Sequence, residues 1–124
     1  MQPINKVVIA GKLGRDPEVG ATLKGTLVAK FSVAVNAPGS NGQSRTVWFP
    51  CVALREQALW VRENLGRGDA VYVEGALEPY EYLARGEKRR TQAFRVLVDV
   101  VRPLEAKARI PVAPESLGFD FAPA

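Results

Sequence analysis

From residue 4 to residue 101, apolar side chains return at nearly every second position, and one helix-length segment interrupts that rhythm. A period of two matches the alternation of side chains across a strand, so the chain is restricted to short strands with a helix set among them. The first strand is expected over residues 4–13, INKVVIAGKL, with Gly11 marking a bulge or a close backbone approach. Residues 14–20, GRDPEVG, read as a turn region because Asp-Pro initiates turns. The second strand, TLVAKFSVAV at 26–35, places Phe31, Val33 and Val35 on one face and Lys30 and Ser32 on the other. Residues 36–44, rich in Asn, Gly, Pro and Ser, form a loop. TVWFPCVAL, residues 46–54, is the third strand.

The interruption is REQALWVRENL, residues 55–65, where Ala58, Val61 and Leu65 share one helical stripe. Gly66 or Gly68 ends this helix, with Arg67 near its C-terminus. A fourth strand follows at 70–83 and a fifth at 89–101, with the Gly86 region turning between them. Three strands, a helix and two strands is the plan of an all-β, five-stranded OB-fold barrel with its helix between strands 3 and 4. A sandwich needs about seven strands, which are hard to fit here. The expected division is a folded domain over 1–102 and a flexible, proline-containing tail over 103–124, where four prolines replace the alternation.

Charge narrows the function. The whole chain carries +4, but residues 1–102 hold 15 basic against 10 acidic side chains, so they alone carry +5. That excess favours an anionic partner. The absence of histidine removes Ser-His-Asp and Cys-His catalysis and His-ligated metals. Asp16 and Glu18 could form a carboxylate pair, but the intervening Pro17 points to a turn. With no glycine-rich phosphate loop carrying a lysine and no metal-ligand cluster, neither an enzyme nor a cofactor is expected. A nuclease remains the enzymatic alternative. The single Cys51 allows no intrachain disulfide, which suits a reducing cytoplasm, and it reads as a small buried hydrophobe. The N-terminus has neither a signal-peptide layout nor the apolar length to span a membrane.

The stretch EGALEPYEYLARGEKRRTQAF, residues 74–94, sets tyrosines beside a basic run. By parity, Val71, Val73 and Leu77 of the fourth strand point inward, and Tyr72, Glu74, Glu78, Tyr80 and Tyr82 point outward. On the fifth strand, Phe94, Val96, Val98 and Val100 point inward, and Arg95 and Asp99 outward. Flat rings beside guanidinium groups suit unpaired bases with their phosphates, because stacking contributes about 1–3 kcal/mol per base. The competing reading is structural: tyrosine favours strands and is enriched in subunit interfaces. For Trp48, both faces of its strand are apolar, so alternation does not say which is core. Pro50 beside it fits an edge or a bulge. Trp60 reads as core or interface.

These segments resemble the bacterial single-stranded-DNA-binding protein family. INKVVIAGKLGRDPEV is similar to its opening, VAKFSVAVN to its second strand, TVWFPCVAL to its third, and ENLGRGDAVYVEGALE to its helix end and fourth strand. The resemblance runs in order over about residues 4–105 and implies an OB-fold that binds single-stranded DNA without strong sequence preference. It also implies a homo-oligomer, a tetramer before a dimer, working in replication, repair or recombination. Trp48 and Tyr82 match stacking positions, and Leu54 stands where the family often has phenylalanine. Gly39 falls near a position where some members have tryptophan. Arg67 matches a basic contact after the helix. With Tyr80 added to the rings, the expected phosphate contacts are Arg45, Arg55, Arg67, Arg85, Lys88, Arg89, Arg90 and Arg95. Glu78 and Glu81 depart from a strand that is commonly more basic. The end, SLGFDFAPA, departs from the family's acidic tip, which recruits replication and repair proteins. The alternative is a primosomal-type OB-fold adaptor with modest DNA affinity.

Overall fold

The computed structural model describes residues 1–104. Of the tail expected over 103–124, Pro103 instead ends the last strand and the Leu104 N–H donates to the Ala70 carbonyl; the remainder lies outside the described residues. Within them run β1 (Val7–Leu13), β2 (Glu18–Ala21), β3 (Leu27–Pro38), β4 (Ser44–Leu54), α1 (Glu56–Asn64), β5 (Ala70–Leu83) and β6 (Arg90–Pro103). The sheet order is β1-β5-β6-β4-β3-β2, and a further β1–β3 pairing closes the five long strands into a barrel. All contacts are antiparallel except β4–β6, which is parallel at Cys51–Val96 and Val52–Leu97. This is the expected OB-fold barrel, with its helix between the third and fourth of its five strands.

Closure depends on two glycines. β1 pairs with β5 from Val7 to Lys12 and switches to β3 at Lys12 and Leu13. Gly11 stands at that switch, where an added Cβ would lie 2.1 Å from the Ala34 carbonyl oxygen. Gly75 plays the same part on β5, 2.1 Å by that measure from the Leu97 carbonyl oxygen. Beside it the β5–β6 register shifts: Glu74 pairs with Val100 but Gly75 with Val98, so Asp99 is the extra residue of a bulge. The Gln57 side-chain amide of α1 donates to the Asp99 carbonyl at 3.1 Å and ties the helix to this corner.

The bulge also corrects the inward set expected for the fifth strand. An inserted residue inverts the parity beyond it, so Val101 is buried and Val100 only half-buried. Leu77 and Phe94 are 40% and 52% exposed, against their expected inward placement. β1 pairing stops at Val7–Gly75, so β5 and β6 continue past the barrel as a two-stranded arm with no layer behind them among the described residues. β2, which was not expected, begins within the turn region read at 14–20 and runs one residue past it. All four of its residues are exposed, so its pattern carries no alternation.

The core resolves the third strand. Phe31 pairs with Cys51 and Val33 with Phe49, which puts Phe49, Cys51 and Ala53 inside and Trp48, Pro50, Val52 and Leu54 on the outer face. Pro50 needs no partner on its second side, since β6 reaches β4 only from Cys51. α1 buries Ala58 and Val61 against the barrel, and the half-buried Trp60 and Leu65 pack on the same core.

Gly75→Ala is expected to destabilise the fold by about 1–3 kcal/mol, because a backbone carbonyl has no rotamer by which to yield. A urea denaturation midpoint checks this. Burial pushes the Cys51 thiol up to about 12. At pH 8 an aromatic disulfide reagent should leave the native protein unmodified and titrate one thiol once denaturant is added.

Candidate nucleic-acid interface

The outer faces of β3 and β4 form one wall of a groove. Lys30 pairs with Val52, Ser32 with Pro50 and Ala34 with Trp48, so these six share a face. β2 adds Glu18 beside Lys30, and the preceding turn adds Arg15 and Asp16. Tyr80 and Arg95 of the β5–β6 arm supply the facing wall. Its volume is about 380 Å³, and Pro50 and Val52 make its floor. An apolar floor with cations on both sides suits a ligand with flat faces and an anionic backbone.

Trp48 stands one strand step from Pro50, at about 7 Å spacing, with half of its surface exposed at 50%. Its ring is held from below by Gly14. A Cβ there would lie 2.5 Å from both Cη2 and Cζ3 of the indole. The Thr46 hydroxyl donates to the Asn36 side-chain oxygen at 2.9 Å, on the next rung of the same face. Leu54 lies at the other end of this row, half-buried opposite Val28. Trp48, Pro50, Val52 and Leu54 therefore make a continuous strip.

On the arm, Glu78, Tyr80 and Tyr82 share a face with Thr91, Ala93 and Arg95. The two rings are 6.1 Å apart between centroids and tilted by 35°. Tyr82 is 43% exposed, and Tyr80 is half-buried. Arg95 donates from Nε to Glu78 at 2.8 Å and covers the Tyr80 ring at 5.0 Å. Arg85, Lys88 and Arg89 cluster in the exposed arm tip. Arg90 pairs with Leu83, which places it on the face opposite the tyrosines, with Phe94.

The remaining basic residues reach the groove to different degrees. Arg67 does so through its backbone: its N–H donates to Asp16 Oδ1 at 2.8 Å. The loop around it is stitched to β1 by Gly68 N–H to the Leu13 carbonyl and Leu13 N–H to the Asp69 carbonyl. Arg45 follows the first residue of β4, on the face opposite Trp48, in the exposed β3–β4 hairpin. Arg55 precedes α1 in the left-handed region at φ 55, a position most residues avoid. Arg15 and Lys30 were not among the expected contacts. Their signal was faint, since groove membership follows from strands distant in sequence.

A second polar cluster lies away from the groove, on the β1–β5 face. Lys6 Nζ pairs with Glu74 at 3.0 Å, and the Tyr72 hydroxyl donates to the same carboxylate. These contacts hold Glu74 below the usual carboxylate range and raise Tyr72 and Lys6. Among the described residues, no three His, Cys, Asp or Glu side chains converge as a metal site. No helix there is long and apolar enough to cross a membrane.

Gly14→Ala should displace the Trp48 indole. If that ring stacks on a base, oligo-dT binding should weaken by about 1 kcal/mol, the low end for one stack. The effect should vanish in a Trp48→Ala background, which a double-mutant cycle by fluorescence anisotropy measures.

Comparison with known proteins converges on one family. The model of the single-strand binding protein family matches residues 4–104. The single-stranded DNA-binding protein of Halalkalibacterium halodurans is 37% identical over 106 residues, covering 84% of this chain and 62% of that protein. Single-stranded DNA-binding protein 1 of Staphylococcus aureus is also 37% identical over 106 residues, with 84% and 63% covered. The Thermus thermophilus protein of the same name is 33% identical over 106 residues, covering 86% of this chain and 40% of its own length. The chain thus spans about six-tenths of the length of the first two relatives. The matched span coincides with the barrel from before β1 to the end of β6, and the chain belongs to the single-strand binding protein family.

Proposed function

We propose that this protein binds single-stranded DNA without strong sequence preference, protecting it in replication, repair or recombination. The observation that carries the reading is the groove: an apolar floor continuous with Trp48, flanked by Arg15, Lys30 and Arg95, and extended by the Tyr80–Tyr82 pair. Every base offers a π face and every nucleotide a phosphate, so rings and cations in one groove bind single strands irrespective of sequence. The relatives' names point to the same ligand. The groove is lined by strand faces rather than by a protruding helix, which fits an unpaired strand better than a duplex groove.

In this reading Trp48, Leu54, Tyr80 and Tyr82 contact bases. Arg45, Arg55, Arg67, Arg85, Lys88, Arg89 and Arg95 supply the phosphate field, now with Arg15 and Lys30. Arg90 contributes from the far side of the arm. No catalytic step is involved. The protein works in the cytoplasm as a homo-oligomer, a tetramer before a dimer. In support of assembly, Val7–Gly11 of β1 pair with β5 on one side while their other edge carries no strand among the described residues. Val8 beside that edge is 52% exposed. Replication or repair proteins are further partners.

Tryptophan fluorescence and anisotropy of labelled oligo-dT, at low and high salt, test the reading. Salt-sensitive binding with indole quenching is expected, and Tyr82→Ala should weaken it by about 1–3 kcal/mol. No binding by either method at micromolar protein overturns it. That result would favour the adaptor reading, for which the exposed Leu77, Leu83 and Phe94 on the back of the arm offer a contact surface.

A further inference from the structure

Glu78 is a carboxylate placed where the groove should attract anions. It is the direct cross-strand partner of Arg95, and the Arg95 Nε–H bond to Glu78 Oε1 measures 2.8 Å. Both side chains remain in contact with water, at 31% exposure for Arg95 and 36% for Glu78. An ion pair with that much solvent access is weak and exchangeable. The groove's other cations differ. Among the described residues, neither Arg15 nor Lys30 lies within ion-pair distance of a carboxylate. Among the described residues, the groove therefore presents two cations outside ion-pair distance of a carboxylate and one whose charge is already answered.

The same pair sets the state of Tyr80. The guanidinium that Glu78 holds lies over the Tyr80 ring, 5.0 Å from its centroid, and the Tyr82 ring lies 6.1 Å away between centroids. Tyr80 thus contacts both Arg95 and Tyr82. Of the two rings, Tyr82 keeps the larger open surface.

We propose that Glu78 is an internal competitor for the DNA phosphates: it occupies Arg95 in the free protein and must yield it to a phosphate when a single strand enters the groove. The proposal rests on the single-stranded-DNA reading above. Its consequence is a reduced salt dependence. A phosphate that captures an unpaired arginine releases its condensed counterion, steepening the slope of log K against log salt by about 0.7 per contact on single strands. A phosphate that displaces Glu78 leaves a bare carboxylate that takes up a cation, cancelling most of that release. Arg95 then adds affinity only in the measure that phosphate outbids Glu78. Glu78 acts here as a positioning and tuning residue, not as a DNA contact.

The test is a salt titration of labelled oligo-dT by anisotropy, using the full chain and the variants E78Q, R95Q and E78Q/R95Q. Circular dichroism and thermal melting confirm that each is folded. The expected result is a slope steeper by about 0.7 in E78Q than in the wild type. It should come with a gain in affinity of up to about fivefold at low salt, the range of an exposed ion pair. R95Q should keep a slope near the wild-type value, and E78Q should add nothing to it. Equal slopes and affinities for E78Q and wild type, both binding, overturn the proposal and leave the DNA reading intact. A gain that persists in E78Q/R95Q over R95Q also overturns it, since a general loss of negative charge would then suffice. Absent binding by the wild type overturns the DNA reading and this proposal together.

Discussion

The barrel depends on two places where backbones meet closer than any side chain allows. At Gly11 and Gly75 the missing Cβ leaves room for the carbonyl oxygens of Ala34 and Leu97. A twisted sheet closes only if some strand bends sharply and changes partner, and that bend needs either a bulge or a residue without a side chain. β1 uses glycine to pass from β5 to β3. β5 and β6 use glycine together with the Asp99 bulge. Without these corners the same strands would form an open sheet with a free edge.

The groove follows from that closure. Bending the sheet brings the outer faces of β2, β3 and β4 to look across at the arm that β5 and β6 extend past the barrel. The arm departs because β1 runs out at Val7. The geometry that leaves Leu77 and Phe94 exposed is therefore the geometry that sets Tyr80 and Arg95 over the apolar floor. The groove is assembled from elements separated by dozens of residues and fixed by contacts between them: Gly14 beneath Trp48, Asp16 on the Arg67 backbone, and Glu78 on Arg95.

Membership of the single-strand binding protein family and the groove's chemistry agree, yet this chain has its own electrostatic balance. Acidic side chains stand within the basic surface: Asp16 and Glu18 line the groove and Glu78 pairs with one of its cations. Asp16 has a structural use, accepting from the Arg67 N–H. Glu78 instead holds Arg95, and on the single-strand reading proposed above it is the carboxylate that a phosphate would displace.

The amino-acid pattern alone determined the long strands, the helix and their order, because burial on one face imposes a period of two or of 3.6 on local sequence. It also determined the chemistry available: no histidine, one shielded thiol, aromatic rings beside arginines. β2 was not legible, since four fully exposed residues show no alternation. Neither was the exposure of Leu77 and Phe94 or the half-burial of Val100, all read as inward, because the end of a neighbouring strand and a bulge change burial without altering the pattern. Which side of β4 is core was open in the sequence and was decided by its register with Phe31 and Val33. Arg15 and Lys30 joined the groove, and Arg90 turned from the tyrosines, through long-range pairing alone. Local alternation records whether a residue has a buried face. Only tertiary pairing decides what stands opposite it, and a binding groove is made of opposite walls.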